Sequence, residues 1–123
     1  AAHVEMEGAP PAVLVNFDPR RLSRVFFNLI HNATDAMPNG GLIFLRFHAN
    51  DREIVTEIED TGMGISPEIA DQLFQPFATH GKTKGTGLGL SICKKIVEDY
   101  GGAIAARSGS QGAIFSFSLP LAK

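Results

Sequence analysis

Apolar residues recur at steps of three and four across residues 18–37, "DPRRLSRVFFNLIHNATDAM". Leu22, Val25, Phe26, Leu29, Ile30, Ala33, Ala36 and Met37 fall on one face, the period of an amphipathic helix. Asp18 suits the N-cap, Pro19 suits the first helical position, and Pro38-Asn39-Gly40-Gly41 ends the run. A second long helix is predicted over 87–100, "GLGLSICKKIVEDY", closed by Gly101-Gly102. Elsewhere the period drops to two. "LIFLRFHA" (42–49) and "EIVTEIED" (53–60) read as strands, and the short Asn50-Asp51-Arg52 joint makes them an antiparallel hairpin. "AIAARSG" (103–109) and "AIFSFSLPL" (113–121) form a second hairpin, and "AVLVNF" (12–17) reads as an edge strand. "SPEIADQLF" (66–74) carries a Ser N-cap, a Pro and an early acid, so a short helix is predicted there. Residues 75–86 have weak periodicity and read as a mobile loop.

The order is strand, helix, hairpin, short helix and loop, helix, hairpin. Both long helices would cover one face of a mixed sheet, which is a two-layer α+β sandwich. The 123 residues are 44% hydrophobic, enough for one domain over 1–123 with its own core. The abrupt ends fit a domain excised from a longer chain. A formal charge of −2 gives no basic excess for nucleic acid or an anionic membrane. No apolar run approaches the ~20 residues of a membrane helix, and "AAHVEMEGAPPAV" lacks the features of a secretory leader. A single cysteine, Cys93, excludes an internal disulfide and fits a reducing compartment. It shares the apolar side of its helix with Ile92, Ile96 and Val97, so a core position is expected.

Candidate chemistry gathers at three places. Asn28, Asn32 and Asp35 line one flank of the first helix, beside its apolar stripe. Such short polar groups form either an exposed polar edge or a rigid oxygen set suited to a hard cation such as Mg²⁺. Asp60 ends a strand. It is either an Asx-turn residue or, if it faces inward, an acceptor that needs a donor such as the exocyclic amine of a purine. Gly62 and Gly64 would let a flat base lie on the backbone. In "GTGLGLSI" (85–92), Gly85, Gly87 and Gly89 lead into a helix, which reads as a phosphate cradle or as a flexible loop with an accidental cap. Lys82 and Lys84 precede it, either as solvated charges or as phosphate contacts. Gly81-Lys82-Thr83 imitates the end of a Walker A loop, but that motif's first glycine would fall on Pro76, so a P-loop is rejected. Phe74 and Phe77 read as core anchors for the loop. His3, His31, His48 and His80 have no metal-ligand spacing, and no nucleophile with a paired base can be assembled.

Four blocks in this order and spacing resemble the ATP-binding catalytic domain of two-component sensor histidine kinases, within the GHKL superfamily of gyrase and heat-shock chaperones. "NLIHNATDAM" resembles the N box, "DTGMGI" the first glycine box, "LFQPF" the phenylalanine box and "GTGLGLSI" the second glycine box. "NATDAM", which contains Asp35, and the short lid "THGKTKGTGLGL" most resemble kinases of the nitrogen-regulation and oxygen-sensing type. The resemblance implies a mixed five-stranded sheet covered on one face by three helices. It implies ATP and Mg²⁺ as cofactors, with Asn32 ligating the metal and Asn28 near phosphate or metal-bound water. Asp60 would accept from the adenine amino group, and Gly62, Met63, Gly64, Ile65 and Phe77 would belong to the nucleotide pocket. Residues 79–85 would form a lid, and Gly85, Thr86, Gly87, Leu88 and Gly89 would bind the phosphates with Lys82 or Lys84. In one departure, Gly112-Ala113 stands where many relatives have Gly-Thr, so a water-mediated adenine contact is expected to be lost or supplied by another residue.

The function so implied is transfer of the γ-phosphoryl group of ATP to a histidine. None of the four histidines is followed by an acid and, five residues on, by a proline, so the acceptor is expected on a separate dimerisation domain of a homodimeric parent. A response regulator would act downstream. The domain is expected in the cytoplasm, touching neither nucleic acid nor membrane directly, and the Phe74–Phe77 region is its expected contact with the dimerisation domain. Two alternatives share the fold: an ATPase driving conformational work, and a nucleotide-sensing module without turnover. The ATPases of the superfamily carry Glu where this sequence has Asn28, and an amide cannot take a proton from water. The intact blocks weigh against a degenerate sensor.

Overall fold

The computed structural model describes residues 2–8, 15–65, 73–74, 89–109 and 111–122. Asp18 opens the first helix, α1 (Pro19–Asp35), by accepting a hydrogen bond at 2.9 Å from the Arg20 N–H, with proline at the first helical position. The second helix, α2 (Gly89–Asp99), ends in a Schellman motif. The Gly101 N–H reaches the Glu98 carbonyl, and the Gly102 N–H reaches the Val97 carbonyl, both at 3.0 Å. Gly101 takes φ +85°, a left-handed value that favours glycine.

Five strands form one sheet: β1 (Ala2–Met6), β2 (Gly41–Ala49), β3 (Glu53–Asp60), β4 (Ala103–Ser108) and β5 (Ala113–Pro120). Their order is β1-β2-β3-β5-β4. β1 and β2 are parallel, and the other neighbours are antiparallel, so the sheet is mixed. Asn50 fixes the β2–β3 turn by accepting from the N–H groups of Arg52 at 2.8 Å and Glu53 at 2.9 Å. β5 inserts between β3 and β4. It is the most buried strand, and Phe115, Phe117 and Leu119 all point into the core.

Both helices pack on one face of the sheet. Val25 and Leu29 of α1, Cys93 and Val97 of α2, and Ile43, Ile58 and Phe117 of the sheet are buried together. Each such aliphatic or aromatic side chain contributes ~1.5–3 kcal/mol by leaving water. Phe26 meets Phe117 edge-on at 5.4 Å. On the opposite face, Arg46 joins Glu7 and Glu57, each at 3.1 Å, and Glu59 at 2.7 Å, while Arg107 adds a second contact to Glu57. Burial opposes the Arg46 charge, but its hydrogen bonds to the three carboxylates outweigh that and hold its proton more firmly than usual.

The α+β sandwich with a mixed five-stranded sheet agrees with expectation, as do both hairpins. The first strand does not. Residues 15–17 of the predicted strand 12–17 form no strand, and residues 12–14 lie outside the described residues. Val15 and Phe17 spend their apolar surface on the core instead, and Phe17 stacks on Tyr100 at 3.9 Å just ahead of the α1 cap. The edge position is taken by β1, whose alternation rests on Val4 and Met6 and gains its meaning from pairing with Ile43 and Leu45. Two helices are present among the described residues. Of the short helix predicted over 66–74, only Leu73 and Phe74 are described, as a turn, with Phe74 edge-on to Phe115 at 6.1 Å. The loop predicted over 75–86 lies outside the described residues.

Gly102 has no room for a side chain: an added Cβ would lie 1.8 Å from the Ser118 carbonyl oxygen and 3.0 Å from Val97 Cγ1. Gly102→Ala is expected to cost about 1–3 kcal/mol, the usual cost of overpacking. Urea denaturation should show a lower midpoint with an unchanged slope.

Candidate functional site

The alternation of β3 turns Thr56, Ile58 and Asp60 inward. Asp60 is therefore a carboxylate at the end of a central strand, facing the helices and 1% exposed. Its Oδ1 accepts from the Gly62 N–H at 3.0 Å and from the Ala113 N–H at 3.2 Å. Its Oδ2 is buried and has no hydrogen-bond partner among the described residues. Desolvation raises the Asp60 pKa above the ordinary 3.8, against the opposing pull of the Ala113 and Gly62 N–H groups, and the nearby Glu59 charge adds to the rise. A buried acceptor with one open oxygen suits a ligand that brings a hydrogen-bond donor.

The backbone around Asp60 is packed to this purpose. An added Cβ on Gly112 would stand 2.3 Å from Asp60 Oδ1 and 2.8 Å from the Gly62 nitrogen. Gly112 thus lets the start of β5 approach the carboxylate. Gly62 is required inside the protein as well, because its Cβ would lie 2.2 Å from the Ala36 carbonyl oxygen. The Met63 N–H points to that same carbonyl at 3.4 Å. The end of α1 is in this way seated against the segment that follows Asp60. Met63 itself is 62% exposed, and Ile65 is partly buried.

On α1, Asn32 is buried, while Asn28 and Asp35 are partly exposed. The Asn28 amide Nδ2 donates to the Gly89 carbonyl at 3.3 Å, which ties the asparagine flank to the start of α2. Asp35 Oδ2 lies 3.5 Å from His31 Nδ1, one turn back. Among the described residues no group of three or more His, Cys, Asp or Glu side chains is arranged to hold a metal ion. Cys93 is fully buried, and burial pushes its thiol up to about 11. Phe77, Lys82, Lys84, Gly85, Thr86, Gly87 and Leu88 lie outside the described residues. Of the glycine run only Gly89 is described, at the first position of α2.

Sequence reasoning left two features unread. The Ala113 N–H is a partner of Asp60 across 53 positions, a relation that only the β3–β5 register creates. Ser108 closes on Ile65 across 43 positions. The Gly112-Ala113 pair does stand out in the sequence, but its partner does not.

An inward carboxylate with one open oxygen, at the end of a central strand of a helix-covered mixed sheet, makes a site for a ligand that brings a hydrogen-bond donor. The chain belongs to the histidine kinase-, DNA gyrase B-, and HSP90-like ATPase family, whose match covers residues 17–123, and within it resembles the ATP-binding domains of sensor histidine kinases. Sensor protein KdpD of Clostridium acetobutylicum is 40% identical over 114 residues, which cover 88% of this chain and 13% of that protein. The catalytic domain of histidine kinase ThkA superposes with a TM-score of 0.85 at 34% identity, over 97% of this chain and 80% of that one. ThkA in complex with the response regulator protein TrrA superposes at 0.78 and 30% identity, over 98% and 34% of the two chains. Full-length ShkA in complex with AMPPNP superposes at 0.83 and 28% identity, over 99% and 26%. The chain thus spans a small part of its longer relatives. No helix among the described residues is long and apolar enough to cross a membrane.

The raised pKa of Asp60 fixes the sign of its effect on stability. The folded state holds the Asp60 proton more tightly than the unfolded state, so its cost grows as pH rises from 3.8 through the raised value, then stays constant. Asp60→Asn keeps an oxygen for the Gly62 and Ala113 N–H groups and removes the charge. Without nucleotide, the variant is expected to melt at or above the wild-type temperature at pH 7. The advantage should vanish toward pH 3, as thermal unfolding across pH 3–8 would reveal.

Proposed function

We propose that this domain binds Mg²⁺-ATP and presents its γ-phosphoryl group to a histidine on a separate dimerisation domain of the same kinase. The observation that carries the reading is Asp60 Oδ2, a buried acceptor left open beside an oxygen already held by two backbone N–H groups. The adenine amino group is a donor of matching size and polarity. Asp60 would bind and orient the base, with Gly62, Met63, Gly64 and Ile65 around it. Asn32 would ligate Mg²⁺, and Asn28 would hold the start of α2 near the phosphates. The Gly85–Gly89 run would contribute bare N–H groups, with Lys82 or Lys84 as a point charge. Bound Mg²⁺ would supply neutralisation of phosphate charge.

The transfer forms a bond from an imidazole nitrogen to the γ-phosphorus and breaks the bond from that phosphorus to the β–γ bridging oxygen, leaving ADP. The imidazole must be neutral to attack. The chain's part is positioning and charge stabilisation rather than proton abstraction. Asn28 fits this role, since an amide cannot activate water for hydrolysis. The AMPPNP complex of ShkA and the response-regulator complex of ThkA support a nucleotide at this fold and a response regulator as the later partner.

Calorimetric titration with ATP, ADP and GTP, with and without Mg²⁺, tests the site. Adenine nucleotides are expected to bind, GTP is not, and Mg²⁺ should tighten ATP. In Asp60→Asn, the retained backbone bonds turn Nδ2 toward the base, so a donor faces a donor. ATP affinity should then fall by roughly 10- to 100-fold, the equivalent of ~1.5–3 kcal/mol. Unchanged affinity would refute the assignment. Labelled ATP with a cognate phosphoacceptor domain tests the transfer itself, and binding without transfer would favour a sensing role.

A further inference from the structure

We propose that Ser108 is a positioning residue of the nucleotide site, holding the segment 61–65 in the shape that the base requires; the inference rests on the reading of Asp60 as the base acceptor. The chain leaves the sheet at Asp60, and its near end is tied first by Thr61, whose Oγ1 accepts from the Leu42 N–H at 3.1 Å and donates to Met37 Sδ at 3.4 Å. The Gly62 N–H returns to Asp60 Oδ1 at 3.0 Å, and the Met63 N–H reaches the Ala36 carbonyl at a long 3.4 Å. At the far end the Ile65 side chain packs against the core, and one hydroxyl holds its backbone. Ser108 Oγ accepts from the Ile65 N–H at 3.0 Å and donates to the Ile65 carbonyl at 2.7 Å, so it closes both backbone groups of that residue.

Ser108 is the last residue of β4, and its cross-strand partner is Ala113, whose N–H holds Asp60. One strand pair therefore fixes both ends of the segment, Asp60 through Ala113 and Ile65 through Ser108. Gly64 fits the same account: an added Cβ would lie 3.2 Å from Ser108 Oγ, inside the reach of the hydroxyl. Of the two glycines of "DTGMGI", Gly62 is required by the Ala36 carbonyl, and Gly64 gives the Ser108 hydroxyl its room. Ser108 is exposed and belongs to no part of the apolar core. Its removal opens no cavity, so an effect on the site can be told from a loss of fold.

Ser108→Ala and Ser108→Thr test the proposal in the intact chain. The Ala variant is expected to melt near the wild-type temperature. It should lose roughly three- to tenfold in affinity for both ATP and adenosine, the scale of one or two neutral hydrogen bonds. The equal factor places the effect at the base rather than the phosphates. Thr keeps the hydroxyl and should restore both affinities. Amide exchange at Ile65 without nucleotide should be faster in the Ala variant. If the Ala variant does not fold, Ser108→Cys, close in size with a weaker hydrogen-bonding thiol, is expected to show a smaller paired loss. Affinities within twofold of wild type, a loss for ATP alone, or a loss that Thr does not restore would each overturn the role of Ser108. A wild-type chain that binds neither ATP nor adenosine would instead refute the nucleotide site itself, in the first titration.

Discussion

A charge removed from water costs several kcal/mol unless the protein returns the interactions that water supplied. Asp60 receives that return on one oxygen only. Two backbone N–H groups hold Oδ1, and Oδ2 remains buried and open. Close backbone packing on the Oδ1 side keeps the carboxylate in this state. A side chain on Gly112 would occupy the space of Oδ1, and one on Gly62 would strike the end of α1. An incoming donor would complete the shell and relieve part of the cost of burial.

The carboxylate and the segment that follows it are held from opposite ends of the fold. α1 delivers its last turn to the segment after β3, and the β4–β5 pair delivers Ala113 and Ser108. Both depend on well-formed helix and strand ends. The Gly40 turn redirects the chain from α1 into β2, and the Schellman motif at Gly101 turns it from α2 into β4. The insertion of β5 between β3 and β4 brings Ala113 beside Asp60. A sheet with β5 at its edge would leave the carboxylate without its second backbone donor.

The two faces of the sheet divide the polar work. The helix-covered face carries an apolar core with one demanding charge at its end. The open face carries Arg46 among Glu7, Glu57 and Glu59, where one guanidinium offsets the repulsion among three carboxylates. Exposed ion pairs contribute little individually, but here three carboxylates share one guanidinium over the β2–β3 register. Their worth lies in keeping like charges on adjacent strands compatible, and they leave Asp60 as the described buried side chain with an open oxygen.

Much of this was legible in one dimension. The three-and-four spacing of α1, the Asp18-Pro19 start and the period-two strands identified both helices and four of five strands, because local periodicity and capping are local chemistry. The positions of Asn28, Asn32 and Asp60 were legible for the same reason, as polar groups at the edges of apolar patterns. The first strand was misplaced because "AVLVNF" has the stronger β composition, yet Val15 and Phe17 pack beneath the α1 cap while the weaker "AHVEM" pairs with β2. Residue order alone thus determined which segments are helix or strand and which side chains could bear charge toward a ligand. Only the tertiary structure decided that Asp60 keeps one oxygen open, that Gly112 and Ala113 close on it and that Ser108 bonds Ile65, because those relations join residues 43 to 53 positions apart through strand register.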